Sequence, residues 1–241
     1  MNQPNDIKAI FFDLDGTLRH SVPSGGEVFT DYVKTLGLAV DADANLRAMR
    51  WEHFYWANSQ DLRNDLLAHS AETENFWIEY SRRRLIALGA SEEWAREFAP
   101  RTSIHMGDVY KPDSIVPEDV RRTLPQLKEA GYILAVISNR DKPFQDLLED
   151  HGISQFFDFS LAAGEVNVWK PEPGIFKHGL QRVNLPASEV VYVGDNYYAD
   201  VVGARSAGLQ PVLYDPLGIF PDPDCVTIQS LDDLITIVRA A

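Results

Sequence analysis

Five continuous apolar runs of strand length constrain the fold of this chain more than any other feature of its sequence. None shows the alternation of apolar and polar residues that marks a strand with one solvated face, so both faces should be covered. Amphipathic segments followed by a glycine separate the later runs, and this order predicts a doubly wound α/β fold around a parallel sheet. The runs are residues 7–12, 132–138, 156–162, 189–194 and 210–215.

The chain between the first run and the second is far longer than one crossover between parallel strands requires. Most of it has the periodicity of amphipathic helices. We therefore predict an all-helical domain, residues 19–109, inserted into a core formed by residues 1–18 and 110–241, with a loop-like hinge at each end. The helices are expected over residues 27–36, 43–67, 73–88 and 91–98, and the hinges near 19–26 and 105–116.

The first apolar run ends in two aspartates, Asp13 and Asp15, with no opposite charge beside either in the sequence. Side chains two positions apart on a strand point the same way, so both carboxylates can face one point. The carboxyl ends of parallel strands are where doubly wound folds bind ligands. Converging like charges call for a cation, and oxygen ligands suit Mg²⁺. A hairpin turn would explain Gly16, but it would not require Asp13 at the end of a buried strand.

The second run ends in Ser138 and Asn139, just before a helix that we expect to begin near Lys142. A hydroxyl and free backbone N–H groups at the start of a helix bind phosphate well. Ser and Asn are also ordinary helix caps and turn residues, so this pair alone is a weak signal. Both residues are candidates for phosphate binding.

Three further charged residues follow the third and fourth runs. Lys170 lies in the loop after the third run, before two prolines, and Asp195 and Asp200 follow the fourth. Each has an ordinary explanation as a solvated charge or a helix cap. Their common position at strand ends makes them candidates for the same site as the two aspartates of the first run.

In order, D-x-D-G-T, a strand-end Ser, a Lys-Pro pair and G-D-x-x-x-x-D resemble the four motifs of the haloacid dehalogenase superfamily. The resemblance covers roughly residues 5–18 and 110–215, and the helical insertion resembles the C1 cap of that superfamily. It implies a Rossmann-like α/β core that uses Mg²⁺ to hydrolyse a small phosphate monoester.

By this resemblance, Asp13 is the nucleophile that forms an aspartyl-phosphate, and Asp15 is the general acid and base. Mg²⁺ would be bound by Asp13, by Asp195 and by the backbone carbonyl of Asp15. Asp200 would orient Lys170 or a water bound to the metal. The remaining implied roles are charge neutralisation by Lys170, support of the loop and phosphate binding by Thr17, and binding of the phosphoryl group by Ser138.

Several activities share parts of this pattern. Dehalogenases of the superfamily need no metal and lack the second aspartate of the first motif, so Asp15 favours phosphoryl transfer. A phosphomutase or phosphotransferase would share every core motif and is the alternative to a phosphatase. Phospho-acceptor receiver modules also phosphorylate an aspartate, but they lack the D-x-D pair and the large insertion. We expect a phosphatase.

The composition of the chain limits the classes of partner that we expect. The formal net charge of −14 would repel a nucleic-acid backbone. No apolar stretch approaches the ~18 residues of a membrane span, and the first ten residues lack the pattern of a secretion signal. We therefore expect a cytoplasmic enzyme that acts on a small phosphorylated molecule, without nucleic-acid or membrane partners. The sequence leaves the oligomeric state and the exact substrate open.

Aromatic residues are concentrated in the predicted helical insertion. Their helical spacing favours packing inside that domain over a stacking surface for a base or a sugar. The residues are Trp51, Phe54, Tyr55, Trp56, Phe76, Trp77 and Tyr80.

Overall fold

The computed structural model describes the backbone of residues 7–240 and the side chains of residues 7–238. The chain divides into two compact units, which we name the core unit (the chain up to His20 and from Ile115 onward) and the helical unit (Ser21–Ser114). Residues 1–6 and 241 belong to the predicted core but lie outside the described residues. Most of the first ten residues, which lack the pattern of a secretion signal, therefore also lie outside the described residues.

The described residues form eight strands and eleven α-helices. The strands are β1 Ala9–Phe12, β2 His20–Val22, β3 Asp113–Ile115, β4 Ile133–Ser138, β5 Phe159–Ala162, β6 Val190–Gly194, β7 Gln210–Tyr214 and β8 Val226–Ile228. The helices are α1 Gly25–Thr35, α2 Ala42–Trp56, α3 Gln60–Ala68, α4 Glu74–Ala87, α5 Glu92–Val109, α6 Glu118–Glu129, α7 Gln145–Asp150, α8 Ala163–Val166, α9 Pro173–Val183, α10 Val202–Ser206 and α11 Leu234–Ala240.

The core unit is built on a six-stranded sheet in the order β5-β4-β1-β6-β7-β8. All of its neighbouring strands are parallel. Ile10 and Phe12 of β1 pack into one cluster with side chains of α6, α7 and α11. Ala9 and Phe11 pack into a second cluster with side chains of α9 and α10. Both faces of β1 are therefore covered, which explains its unbroken apolar run and confirms the doubly wound α/β fold.

All five predicted strands are present, and β8 is an additional edge strand. Val226 in β8 is 49 % exposed and only Ile228 is buried among its three residues. A strand so short and so exposed leaves no continuous apolar run in the sequence.

The helical unit differs from its sequence prediction in two places. The helix expected over residues 43–67 is two helices, because Asn58 adopts a left-handed backbone conformation (φ 55°) and Ser59 caps α3 by accepting from the amide of Leu62. The last helix of the unit, α5, continues to Val109 instead of ending near residue 98. Buried side chains such as Ala99 and Thr102 continue its apolar face past the expected end.

The two predicted hinges are also more ordered than expected. The segments that connect the units contain β2 and β3, which pair with each other as a two-stranded sheet. The first part of the second expected hinge, residues 105–109, is the end of α5. Within residues 7–240, no helix has the length and apolar character needed to cross a bilayer.

The aromatic residues of the helical unit have two kinds of environment. Tyr55, Phe76 and Tyr80 are buried in one cluster with Trp51 packed against it, in agreement with the packing interpretation. Trp56 and Trp77 are 37 % and 44 % exposed. They line a cavity of about 700 Å³ inside this unit, together with Tyr80 and the buried Arg84.

Candidate active site

Three neighbouring strands bring the predicted polar residues to one edge of the parallel sheet. Asp13 directly follows β1, Ser138 is the last residue of β4 and Asp195 directly follows β6. Because β1 lies between β4 and β6, their carboxyl ends are adjacent. The backbone N–H of Asp13 continues the ladder by donating to the carbonyl of Val193 at 2.8 Å.

Lys170 joins these residues in the interior. It is 2 % exposed, and its Nζ donates to Asp13 Oδ1 at 2.6 Å and to Asp200 Oδ1 at 2.7 Å. Its third contact is the hydroxyl of Tyr192 at 3.0 Å, which itself donates to the carbonyl of Ile137. Burial alone would lower the pKa of Lys170, but the charges of Asp13 and Asp200 raise it well above its usual value. The ammonium group therefore stays protonated and holds one oxygen of Asp13.

The two acids that follow β1 and β6 are poorly compensated despite this lysine. Burial raises the pKa of Asp13 to about 7, against the opposing charge of Lys170 and with a further rise from Asp200. Burial, and then the charges of Asp13 and Asp200, raise the pKa of Asp195 well above its usual value. The buried carboxylate of Asp13 and the half-buried carboxylate of Asp195 at one point meet the electrostatic condition for a bound cation.

The donor set fits a hard divalent cation such as Mg²⁺. Carboxylate oxygens of Asp13, Asp195 and Asp200 lie within 4.8 Å of one another, and hard cations prefer oxygen ligands. Both oxygens of Asp200 already accept hydrogen bonds, one from Lys170 and one from the backbone N–H of Asn196 at 3.0 Å. Asp13 and Asp195 are therefore the better carboxylate ligands, and Asp200 is a partner of Lys170.

The loop after β1 contacts Asp195 through Gly16 and Thr17. Gly16 has φ 94°, and a Cβ at this position would lie 2.3 Å from Asp195 Oδ2. Only glycine satisfies both the backbone conformation and this close approach. Thr17 is fully buried and its hydroxyl donates to Asp195 Oδ1 at 3.2 Å. The Gly-Thr part of the first motif thus fixes the acid that follows β6.

Asn139 fixes the backbone of Lys170 rather than pointing its amide to an open site. Its Oδ1 accepts from the Lys170 N–H at 2.6 Å, and its Nδ2 donates to the Lys170 carbonyl at 3.0 Å. Ser138 is 3 % exposed at the end of β4. The expectation of a helix starting near Lys142 is wrong, because α7 begins only at Gln145. Pro143 disfavours helical backbone in the residue before it, which delays the start.

Asp15 points to two arginines that the sequence did not indicate. Arg140 forms a bidentate pair with it, Nε to Oδ2 at 2.8 Å and Nη2 to Oδ1 at 2.9 Å, and Arg19 also contacts Oδ1. In the folded chain Asp15 therefore has two opposite charges beside it, although neither is adjacent to it in the sequence. Burial would raise the pKa of Asp15, but the hydrogen bonds and charges of Arg140 and Arg19 lower it.

Two of these functional contacts were missed for different reasons. Arg140 directly follows the Ser-Asn pair, so its position beside a strand end was a usable signal. Tyr192 lies inside the apolar run of β6 and resembles any buried strand residue. Its contact with Lys170 depends on tertiary packing alone.

Comparison with known proteins assigns the same motifs to one family. The profile of the haloacid dehalogenase-like hydrolases matches residues 7–208, which include all four motifs. The chain is 30 % identical over 217 residues to a ribulose-1,5-bisphosphate 5-phosphatase of Halopiger xanaduensis, covering 86 % of this chain and 84 % of that protein. It is 31 % identical over 206 residues to a phosphoglycolate phosphatase of Vibrio cholerae, covering 84 % and 81 %.

Solved structures show the same fold. A predicted phosphoglycolate phosphatase from Haemophilus somnus superposes with a TM-score of 0.59 at 24 % identity, covering 98 % of this chain and 99 % of that one. The alignment therefore extends over nearly the whole of both chains.

Proposed function

This chain belongs to the haloacid dehalogenase-like hydrolase family, and on that premise we propose that it is a Mg²⁺-dependent phosphatase that hydrolyses a small phosphate monoester through an aspartyl-phosphate. The observation that carries the proposal is that two nearby aspartates differ in burial and in their charged partners. Asp13 is buried against Lys170 beside Asp195, whereas Asp15 is partly exposed and paired with arginines. We assign them two separate tasks: Lys170 and a bound cation would keep Asp13 ionised for attack, and Asp15 would take up a proton when substrate entry loosens its pairing with the arginines.

The first half-reaction transfers the phosphoryl group to Asp13. Lys170 holds Oδ1 of Asp13, so the other carboxylate oxygen attacks phosphorus while the bond from phosphorus to the ester oxygen breaks. Asp15 donates a proton to that departing oxygen. Bound Mg²⁺, held by Asp13, Asp195 and the backbone carbonyl of Asp15, would neutralise the phosphate dianion that these acids otherwise repel. Ser138, at the adjacent strand end, would hold the phosphoryl oxygens.

The second half-reaction releases phosphate. Asp15, now ionised, takes a proton from water, and the resulting hydroxide attacks phosphorus and breaks its bond to Asp13. Lys170 and Asp200 keep the carboxylate of Asp13 in place through both steps, since all three are tied together by hydrogen bonds. Thr17 and Asn139 act on the geometry, the first through Asp195 and the second through the backbone of Lys170.

The helical unit is inserted directly after the loop that carries Asp15, and we propose for it the role of a substrate-selecting cap. Two curated relatives are named as phosphatases of small phosphorylated molecules, which supports a substrate of that class here. We also propose that the protein is cytoplasmic, as expected from its sequence.

Phosphate release from p-nitrophenyl phosphate tests the proposal. We expect turnover with Mg²⁺, loss of turnover in excess EDTA and recovery when Mg²⁺ is returned, because the buried acids repel an uncompensated dianion. Undiminished turnover in EDTA would contradict the metal assignment. Halide release from a 2-haloacid under the same conditions would favour a dehalogenase instead.

A further inference from the structure

Arg140 presents two edges of its guanidinium group to different surroundings. Nε and Nη2 donate to the two oxygens of Asp15. Within the described side chains, Arg140 donates to no other residue, so its Nη1 keeps its hydrogen-bonding capacity. The side chain is 36 % exposed. A guanidinium carries five N–H donors in a fixed fork, so it can hold Asp15 on one edge and a second anion on the other.

The other cations of the site are already committed to its acids. Lys170 is buried between Asp13 and Asp200. The side chain of Arg19, which also pairs with Asp15, is 15 % exposed. Arg140 therefore combines a positive charge, exposure and a donor that no described residue uses.

The position of Arg140 beside Asp15 determines which part of a substrate it meets. A general acid must lie within hydrogen-bond distance of the oxygen that it protonates, and in this reaction that is the ester oxygen of the leaving group. A cation bonded directly to the acid therefore lies alongside the leaving group, whereas Asp13 and Lys170 face the transferred phosphoryl group.

We propose that Arg140 is a specificity-determining residue that binds a second anionic group, a carboxylate or a further phosphate, on the leaving group of the substrate. This inference rests on the proposed phosphatase function, because it takes Asp15 as the general acid. The substrate class is a phosphate monoester whose alcohol carries an acidic group close to the ester oxygen. With a neutral alcohol, the outer edge of Arg140 remains in water and contributes nothing to selection.

The test compares matched esters that differ only in this second charge. One pair is 2-phosphoglycolate and its neutral amide, and the other is 1,3-propanediol bisphosphate and the corresponding monophosphate. Each is measured as kcat/KM with Mg²⁺ for the wild type, Arg140→Gln and Arg140→Lys. The control is Lys142→Gln, which removes the same charge from an exposed residue of the same loop.

We expect the wild type to prefer the charged member of at least one pair by roughly 10- to 100-fold, the worth of a charge-assisted hydrogen bond. Arg140→Gln should reduce this ratio to within about threefold of unity, and Arg140→Lys should retain part of it, since it keeps the charge but loses the fork. Lys142→Gln should keep the wild-type ratio. Whichever pair responds identifies the second group as a carboxylate or a phosphate.

Equal kcat/KM within both pairs for the wild type, or an unchanged ratio in Arg140→Gln, would overturn the role of Arg140 and leave the phosphatase intact. Calorimetric binding of 2-phosphoglycolate and its amide to Asp13→Asn protein measures the same preference without turnover. Failure to hydrolyse any of these esters or p-nitrophenyl phosphate would overturn the proposed function itself, and this inference with it.

Discussion

At the scale of single residues, Asp13 and Asp15 lie only two positions apart and have opposite pKa shifts. Burial raises the pKa of Asp13 to about 7, although Lys170 opposes the shift. Burial acts on Asp15 in the same direction, but the hydrogen bonds and charge of Arg140 overcome it and lower the pKa. The folded protein therefore raises the pKa of one aspartate and lowers the pKa of the other.

The two aspartates should fail differently when each is replaced by asparagine. Asp13→Asn removes the nucleophile, so no covalent intermediate forms and turnover disappears with every substrate. Asp15→Asn should lower hydrolysis of alkyl phosphates by ~10²–10⁴, the usual contribution of general acid catalysis. Nitrophenolate leaves without that proton, so Asp13 should still be phosphorylated by p-nitrophenyl phosphate, and the intermediate should accumulate after a burst of nitrophenol.

Intact-mass measurement on rapidly quenched protein detects this intermediate as one added phosphoryl group. The Asp13→Asn protein is the matched control and should show no such addition. Wild-type turnover of alkyl phosphates by Asp15→Asn would rule out the acid/base role and favour a phospho-acceptor module.

At the scale of secondary structure, continuous runs of apolar residues were the pattern that predicted the strands. The five apolar runs predicted strands because covered faces demand apolar residues on both sides. β8 was not predicted because it is exposed at Val226 and so has no continuous apolar run. The break between α2 and α3 depends on the backbone of Asn58 and the cap at Ser59, and it lay inside a helical pattern that continues on both sides.

An ion pair in the helical unit supplies a prediction at this scale. Arg84 of α4 is 1 % exposed and pairs with Glu52 of α2, which also accepts from the hydroxyl of Tyr80. Glu52→Gln leaves the buried guanidinium without its counter-charge. Glu52 itself is 30 % exposed, so we expect the lower end of the usual penalty, about 3 kcal/mol in the free energy of unfolding.

Urea unfolding followed by tryptophan fluorescence measures this loss, because four of the five tryptophans (Trp51, Trp56, Trp77 and Trp94) lie in the helical unit. Glu93→Gln, an exposed residue of α5, removes the same charge and should stay within about 0.5 kcal/mol of the wild type. Equal effects of the two substitutions would mean that the pair contributes no more than a surface charge.

At the scale of the whole molecule, the site depends on contacts between distant parts of the chain. The sequence indicated Asp13 and Asp195 because each directly follows an apolar run, whereas Lys170 was indicated only by the Lys-Pro pair in a loop. It could not predict that Arg140 reaches Asp15 across 125 positions or that Tyr192 supports Lys170 from another strand. Such contacts follow from the packing of side chains between neighbouring strand ends, which has no local pattern.

The concentration of acids also predicts how metal and pH act on the stability of the whole protein. The folded pKa of Asp13, about 7, exceeds its ordinary value of 3.8, and that of Asp195 is raised in the same direction. A raised pKa means that stability is fully present at low pH and is lost as pH rises through about 7. The pKa of Asp15 is lowered in the folded state. Its contribution to stability is therefore present above its ordinary pKa and is lost as the pH falls. Mg²⁺ binds the ionised acids, and its stabilisation should grow over the same range.

Thermal unfolding with Mg²⁺ and with EDTA measures this difference in Tm. We expect a larger rise in Tm from Mg²⁺ at pH 8 than at pH 5.5, and a much smaller rise at pH 8 in Asp195→Asn, which lacks one carboxylate ligand. A rise that is independent of pH, or that persists undiminished in Asp195→Asn, would place the bound cation elsewhere.

The central position of β1 has a consequence for how the protein is made. Its partners in the sheet are β4 and β6, and the whole helical unit is synthesised before either of them. At ribosomal rates of about 5–20 residues per second, roughly 120 residues separate β1 from β4, a delay of about 6–25 s. During that interval the nascent chain carries the apolar segment of β1 without its partners in the sheet. β1, which ends beside Asp13, therefore stays unpaired while the whole helical unit is synthesised.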